Sequence, residues 1–355
     1  MGWIMPEPMS WESLGLQPAS VDGYFFDPNL PAQIDTATAS DDVLKQLGIP
    51  SRPDAAADAD AYTAWKASFE KTLTYIPPKL TTFQRATRKG PMQSMGLTSS
   101  SWAGGVIPSP AGQTFKYITG RWKVPAANTP TAGPFANVPS TLASVWVGLD
   151  GGYATGANAS GDVFQAGTDS MNSAFPLPGP NGAVVWTEWF PAPGVNYDGF
   201  PCNFGDDISV AMQFLGPVLW PLPGLGSVPL GRATITNHTT KNFTGIYGMV
   251  GPQPSGPNPF VGNTAEWIVE TPQLGSCTNV FAALPALRDV TFDNAATVDS
   301  AGSESGPKSK SLQLFQMDNS GVGIGRNNGQ PGTGTVVAIG GKDAAGRIQV
   351  APQFN

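Results

Sequence analysis

Short runs of apolar, aromatic and β-branched residues, each closed off by glycine, proline or asparagine, govern what this chain can fold into. From residue 102 onward the runs SVWVGLD, AVVWTEWFP, DISVAMQF, ATITN, AEWIVE and TVVAIGG follow one another with no helical pattern between them. Strands that succeed one another without crossover helices pair antiparallel and close into a sandwich or barrel. The chain holds 43 glycines and 35 prolines in 355 residues. Both residue types weaken helix interiors, so a helical bundle is excluded. Hydrophobic residues make up 40% and aromatics 10%, which is ample for a packed core and excludes a disordered chain. No fixed-period repeat is present, so a propeller or solenoid is not expected. The expected fold is all-β, a sandwich of two antiparallel sheets spanning residues 102–355.

Residues 1–101 read differently. They carry 8 of the 19 basic residues. Tyr62, Trp65, Phe69 and Leu73 recur at helical steps and predict one helix over Asp58–Tyr75, ended by Pro77 and Pro78. The stretch before it reads as loop, and Lys79, Arg85, Arg88 and Lys89 form a basic cluster after it. This is a mostly irregular, partly helical N-terminal extension. No Lys or Arg precedes Lys45 and no apolar core follows the start, so no secretory leader is visible. Nor is there a membrane-spanning apolar run, and Pro6 stands where a myristoylation signal needs Ser or Thr.

Scarce residue types remove whole chemistries. With one histidine, His238, a multi-histidine metal site cannot be built, and a Ser-His-Asp triad would have to use that residue. In Asn237-His238-Thr239 it reads as a surface turn histidine. Cys202 and Cys277 form no CxxC motif, and one disulfide or two thiols both fit. A net charge of -7 argues against a nucleic-acid partner, which needs a basic surface. Gly321-Val322-Gly323-Ile324-Gly325 leads into Asn327-Asn328-Gly329 and reads as a hairpin, not a phosphate loop. Asn158, Asn237 and Asn242 stand in glycosylation sequons, which matter only in a secretory pathway.

Glutamate is the informative residue. Of seven in the chain, Glu188, Glu266 and Glu270 sit inside aromatic strands. Because alternate strand residues share a face, Glu188 lies beside Trp186 and Phe190, and Glu266 and Glu270 flank Ile268. A carboxylate between bulky residues is expensive to bury without a role. Taken singly, each fits the solvent side of a sheet equally well. Together with Trp146 and Asp150 on one face of SVWVGLD, and Gln165 in VFQAG, they form a polar and aromatic face. Such a face reads as a groove for an extended polymer, peptide or glycan.

The segments SSWAGGVI (100–107), GRWKVP (120–125), SVWVGLDG (144–151), FQAGTD (164–169), VWTEWFP (185–191), GDDISV (205–210) and NTAEWIVE (263–270) resemble, in order and approximate spacing, the eqolisins, the pepstatin-insensitive glutamic endopeptidases. The resemblance implies a lectin- and glucanase-like sandwich with a glutamine and glutamate dyad in its concave groove. It implies Gln165 and Glu270, not Glu266, as the catalytic pair, and Trp102, Trp146, Asp150, Trp186 and Glu188 as groove-lining helpers. Also implied are a polypeptide substrate, no cofactor or metal, a monomer, and secretion, although no leader is seen. The extension corresponds to the place of a propeptide in fungal relatives, and a permanent cap reads equally well. The family's several cysteines are lacking here.

A carboxylate with an ordinary pKa of about 4.3 can take a proton from water in acid and return it to a leaving amine. The Gln165 amide would then hydrogen-bond the oxyanion or orient the water, and Glu188 would tune Glu270 or bind substrate backbone. The alternative is a sandwich that binds or hydrolyses glycans. Glu266 and Glu270 are too far apart along one strand, at about 13 Å, for a glycosidase pair, but Glu188 and Glu270 meeting across strands stays open.

Overall fold

The computed structural model describes residues 9–83, 98–132, 140–152, 162–173, 182–219, 227–249, 260–272, 280–318, 323–324, 330–331 and 336–353. The N-terminal part supplies strand β1 (Tyr24–Phe26), helices α1 (Asp41–Gln46) and α2 (Ala59–Phe69), and strands β2 (Thr72–Tyr75) and β3 (Leu80–Phe83). The body follows with β4 (Trp102–Pro108), β5 (Phe115–Lys123), β6 (Ser140–Leu149), β7 (Val163–Ser173), β8 (Gly182–Phe190) and β9 (Gly194–Tyr197). It continues through β10 (Asp207–Leu219), β11 (Ser227–Asn237), β12 (Asn242–Met249), β13 (Thr264–Glu270) and β14 (Val290–Asp299). The last three are β15 (Gln313–Asp318), β16 (Val336–Lys342) and β17 (Ile348–Pro352).

A front sheet runs β3, β9, β8, β7, β6, β13, β4, β15 in space, every neighbour antiparallel. A back sheet runs β14, β5, β10, β11, β12, likewise antiparallel. The hairpin β16–β17 closes one side, with β16 on β15 and β17 on β14. This is the antiparallel sandwich that the turn-punctuated runs predict.

Strand alternation decides what fills the space between the sheets. Val145, Val147, Ala166, Val185 and Val269 of the front sheet meet Ile118, Val210, Met212 and Ile235 of the back sheet in one buried cluster. A buried indole N–H needs an acceptor, and two of them tie the layers together. Trp267 Nε1 donates to the Thr119 carbonyl at 2.8 Å, and Trp122 Nε1 donates to Thr168 Oγ1 at 3.0 Å.

The N-terminal segment is woven into both sheets. β1 pairs with β12, β2 runs parallel to the start of β12, and β3 extends the front sheet through β9. Tyr24 and Leu80 join the main core, while Leu44, Leu47, Trp65, Phe69 and Leu73 close over Phe243 on the outer side of the back sheet. The helix expected over Asp58–Tyr75 is shorter, because α2 ends at Phe69 and residues 72–75 form β2. There the β-branched Thr72 and Thr74 and pairing with residues 33–35 and with β12 outweigh the helical period. Leu73 still reaches the cluster, fully buried, but from a strand. Upstream the chain is not all loop. Ser40 caps α1 by accepting from the Val43 N–H, a start signal that six residues of helix make hard to read.

His238 is buried, not a surface turn residue. Phe69 of α2 meets it edge-on at 5.5 Å between ring centres, and Ser209 Oγ lies 2.7 Å from its Nε2. The turn looks hydrophilic in sequence because its cover comes from a distant segment. Burial above all, then the charges of Arg121 and Lys71, push the imidazole down to about 3. Asn237 is also internal, donating to the Pro201 carbonyl and to Asp206 at 2.9 and 2.8 Å. Residues 323–324 pair antiparallel with 330–331, as the hairpin reading expects. Cys202 is a half-buried free thiol. Cys277, Asn158, Arg85, Arg88 and Lys89 lie outside the described residues. Among the described residues no helix is long and apolar enough to cross a membrane.

Two stability measurements follow. Leu73→Ala is expected to cost about 2–5 kcal/mol in urea denaturation, the range for a buried leucine in a shared core. The imidazole's folded value lies below its ordinary 6.5, so the stability tied to neutral His238 is complete above that value and drains away as pH falls toward 3. His238→Gln should flatten that part of the stability profile, and an unchanged slope would contradict the assignment.

Candidate active site

The outer face of the front sheet carries three cross-strand rows. In the middle row Trp186 of β8 stands opposite Gly167 of β7, Gly167 opposite Trp146 of β6, and Trp146 opposite Ile268 of β13. Two residues toward one end, a row links Glu188, Gln165, Gly148 and Glu266. Two residues toward the other, a row links Val184, Asp169, Ser144, Glu270 and Trp102. Register thus places six of the seven side chains singled out in the sequence beside one another, and Trp186 and Trp146 form their centre.

Gln165 Nε2 donates to Glu188 Oε2 at 2.7 Å. Trp146 Nε1 donates to Glu270 Oε2 at 2.8 Å, and the Trp102 ring meets Trp146 edge-on at 5.0 Å. Glu188 is therefore set on Gln165. Gln165 and Glu270 lie two strands and four residues apart in register, about 10 Å across the strands and about 13 Å along them. Trp146 sits at the middle of that diagonal. Its ring edge leans over Gly148, where an added Cβ would come within 2.8 Å of it.

Asp150 stands apart at the end of β6, with a left-handed φ of 74°. It accepts from the backbone N–H groups of Val261 at 2.6 Å, Gly262 at 3.2 Å and Asn263 at 3.4 Å. These bonds pin the approach to β13, the strand that ends in Glu270. Sequence reasoning passed over Ser144 and Asp169, although they share the alternation of Trp146 and Gln165. Ser144 Oγ donates to Asp169 Oδ1 at 2.5 Å in the row of Glu270.

This face is closed in the conformation described. Gln165, Glu188 and Glu270 are 6%, 2% and 5% exposed. The side-chain carbonyl of Gln165 is buried and, among the described residues, has no hydrogen-bond partner. Leaving such an acceptor unmade costs about 1–3 kcal/mol, a cost that marks the atom as one a ligand can satisfy. Glu266 is fully buried, and among the described residues neither of its oxygens has a hydrogen-bond partner. Burial above all holds its carboxyl protonated well above the ordinary range; the adjacent Thr264 hydroxyl opposes this and the Asp150 charge reinforces it. His238 follows β11 at the end of the back sheet, away from these groups. Among the described residues no group of three or more His, Cys, Asp or Glu side chains is placed to hold a metal ion.

Fold and site together define a β-sandwich protein whose outer front face is built from carboxyl, amide and indole groups. Residues 100–325 match the peptidase A4 family. The chain belongs to that family, the eqolisins, and is a glutamic endopeptidase. Among solved structures it is similar to scytalido-glutamic peptidase with a transition state analog inhibitor, at 20% identity and a TM-score of 0.49, covering 71% of this chain and 98% of that one. It is also similar to aspergilloglutamic peptidase from Aspergillus niger, at 23% identity and a TM-score of 0.41, covering 60% and 99%. No curated protein sequence matches it.

Glu266 makes a pH prediction of the opposite sign to that of His238. A carboxyl whose folded value is raised stabilises the fold fully below its ordinary 4.5, and loses that contribution as pH climbs through and beyond that value. Glu266→Gln, neutral at every pH, should leave stability near pH 4 almost unchanged and raise it near neutrality. Equal effects at both pH values in thermal denaturation would sink this reading.

Proposed function

We propose that the chain cleaves peptide bonds in acid through Gln165 and Glu270. The observation that carries this is the state of Gln165. Its amide is anchored by Glu188, yet among the described residues its buried carbonyl has no partner, and its second N–H is unused by that bond. A side chain so oriented can accept from an attacking water and donate to a carbonyl oxygen. Glu270, held through one oxygen by the Trp146 indole, supplies the base.

In this mechanism the Glu270 carboxylate takes a proton from water as the water oxygen bonds to the scissile carbonyl carbon. The carbonyl oxygen becomes an oxyanion and receives a hydrogen bond from Gln165 Nε2. Protonated Glu270 then delivers its proton to the leaving nitrogen as the C–N bond breaks. With no histidine on this face, the base is a carboxylate, which is why acid is the proposed working range. Trp146 and Trp186 exclude water, and Asp150 and Glu188 support the pair. The glycan reading is the weaker one, because Glu188 is committed to Gln165 and lies three strands from Glu270.

The N-terminal segment fits a permanent layer better than a removable propeptide. Its strands extend both sheets, and its leucines and aromatics are core residues. Since Gln165 and Glu270 are covered in the closed form, the substrate must bind to a rearranged face. Secretion is the localisation that fits an acid peptidase.

The test is cleavage of a denatured protein near pH 4 by the full chain. Glu270→Gln should reduce kcat by about 10²–10⁴ and Gln165→Ala by about 10²–10³. Wild-type rates in either variant would refute the assignment. Trp146→Phe, which removes the indole donor that holds Glu270 in place, should lower kcat near pH 4, and an unchanged kcat would contradict a positioning role for that hydrogen bond.

A further inference from the structure

Phe83 is the last residue of β3, the strand that the N-terminal segment adds to the front sheet, and it lies outside the residues that match the family. It stands opposite Gly194 of β9. A Cβ on Gly194 would fall 2.3 Å from the Phe83 ring, so the ring fills the space that a side chain there would take. The same ring meets Trp186 edge-on at 6.2 Å between centres and packs against the cluster that holds Trp102, Trp146 and Trp186. Trp186 is two residues from Glu188 on one strand face, and Glu188 anchors Gln165. Phe83 therefore stands on the Gln165 side of the site, and it keeps part of its surface exposed where Trp186 has none.

We propose that Phe83 is a specificity-determining residue, the wall of an apolar subsite that receives one substrate side chain on the Gln165 side of the scissile bond. The inference rests on the reading of this face as the Gln165 and Glu270 site. With Gly194 leaving room for the Phe83 ring to lie beside Trp186, the Trp186 edge and Phe83 ring supply uncharged walls, so aliphatic and aromatic side chains are selected and charged ones rejected. The segment carrying Phe83 accordingly stays with the active enzyme.

The experiment profiles a peptide library near pH 4, varied one position at a time, with wild type, Phe83→Ala, Phe83→Leu and Phe83→Trp. Removing the wall should lower kcat/KM roughly tenfold or more for bulky apolar residues at one position, at least the scale of one lost methylene contact. Small residues there should change less than about twofold. Phe83→Leu should restore most of the loss, and Phe83→Trp should shift preference toward smaller side chains. These two variants carry the test if Phe83→Ala does not fold. A loss spread evenly over all positions, an unchanged profile in the leucine and tryptophan variants, or an active species whose N-terminus lies after Phe83 would overturn the inference while leaving the dyad standing. A wild type that cleaves no peptide at all would instead overturn the catalytic reading beneath it.

Discussion

A side chain on a strand has a choice of two faces, and the antiparallel register of β8, β7, β6 and β13 makes that choice for the whole site at once. A slip of one residue on β7 would turn Gln165 into the core and bring Phe164 and Ala166 out. On β13 it would exchange Glu270 and Ile268 for Val269 and Trp267. What holds the register is the opposite face. Val145, Val147, Ala166 and Val269 are packed against the back sheet, and Trp267 is bonded to Thr119. The geometry of the face that carries Gln165 and Glu270 is thus set by hydrophobic packing one side chain's depth beneath it.

Burial then makes the polar groups consequential. In a low-dielectric setting a carboxyl either finds a donor, as Glu270 does in Trp146 and Glu188 in Gln165, or stays protonated, as Glu266 does. Glu266 favours an acid environment and His238 opposes it, so the fold balances two buried groups with opposite demands. The N-terminal segment bears on one of them. Phe69 of α2 packs edge-on against His238 and so contributes to its burial.

Much of this was legible in the sequence. Alternation within SVWVGLD, VWTEWFP and AEWIVE assigns Trp146, Trp186, Glu188, Glu266 and Glu270 to one face each, since period two leaves no freedom. What alternation cannot say is which strand lies next to which. That is why Glu188 emerges as the partner of Gln165, and why Ser144 and Asp169 were passed over. Long-range cover was equally invisible. Nothing near Asn237-His238-Thr239 announces a helix from the first seventy residues, and the helical period ending at Leu73 conceals a change from helix to strand that cross-strand pairing imposes.

The claim at the centre is that Gln165 and Glu270, held on two strands with Trp146 between them, act on one water and one carbonyl. A double-mutant cycle on kcat/KM reads this directly. If the two act as a unit, Gln165→Ala combined with Glu270→Gln should be scarcely worse than the more damaging single variant. Losses that multiply, with each variant reducing the rate by the same factor whether or not the other is present, would contradict it.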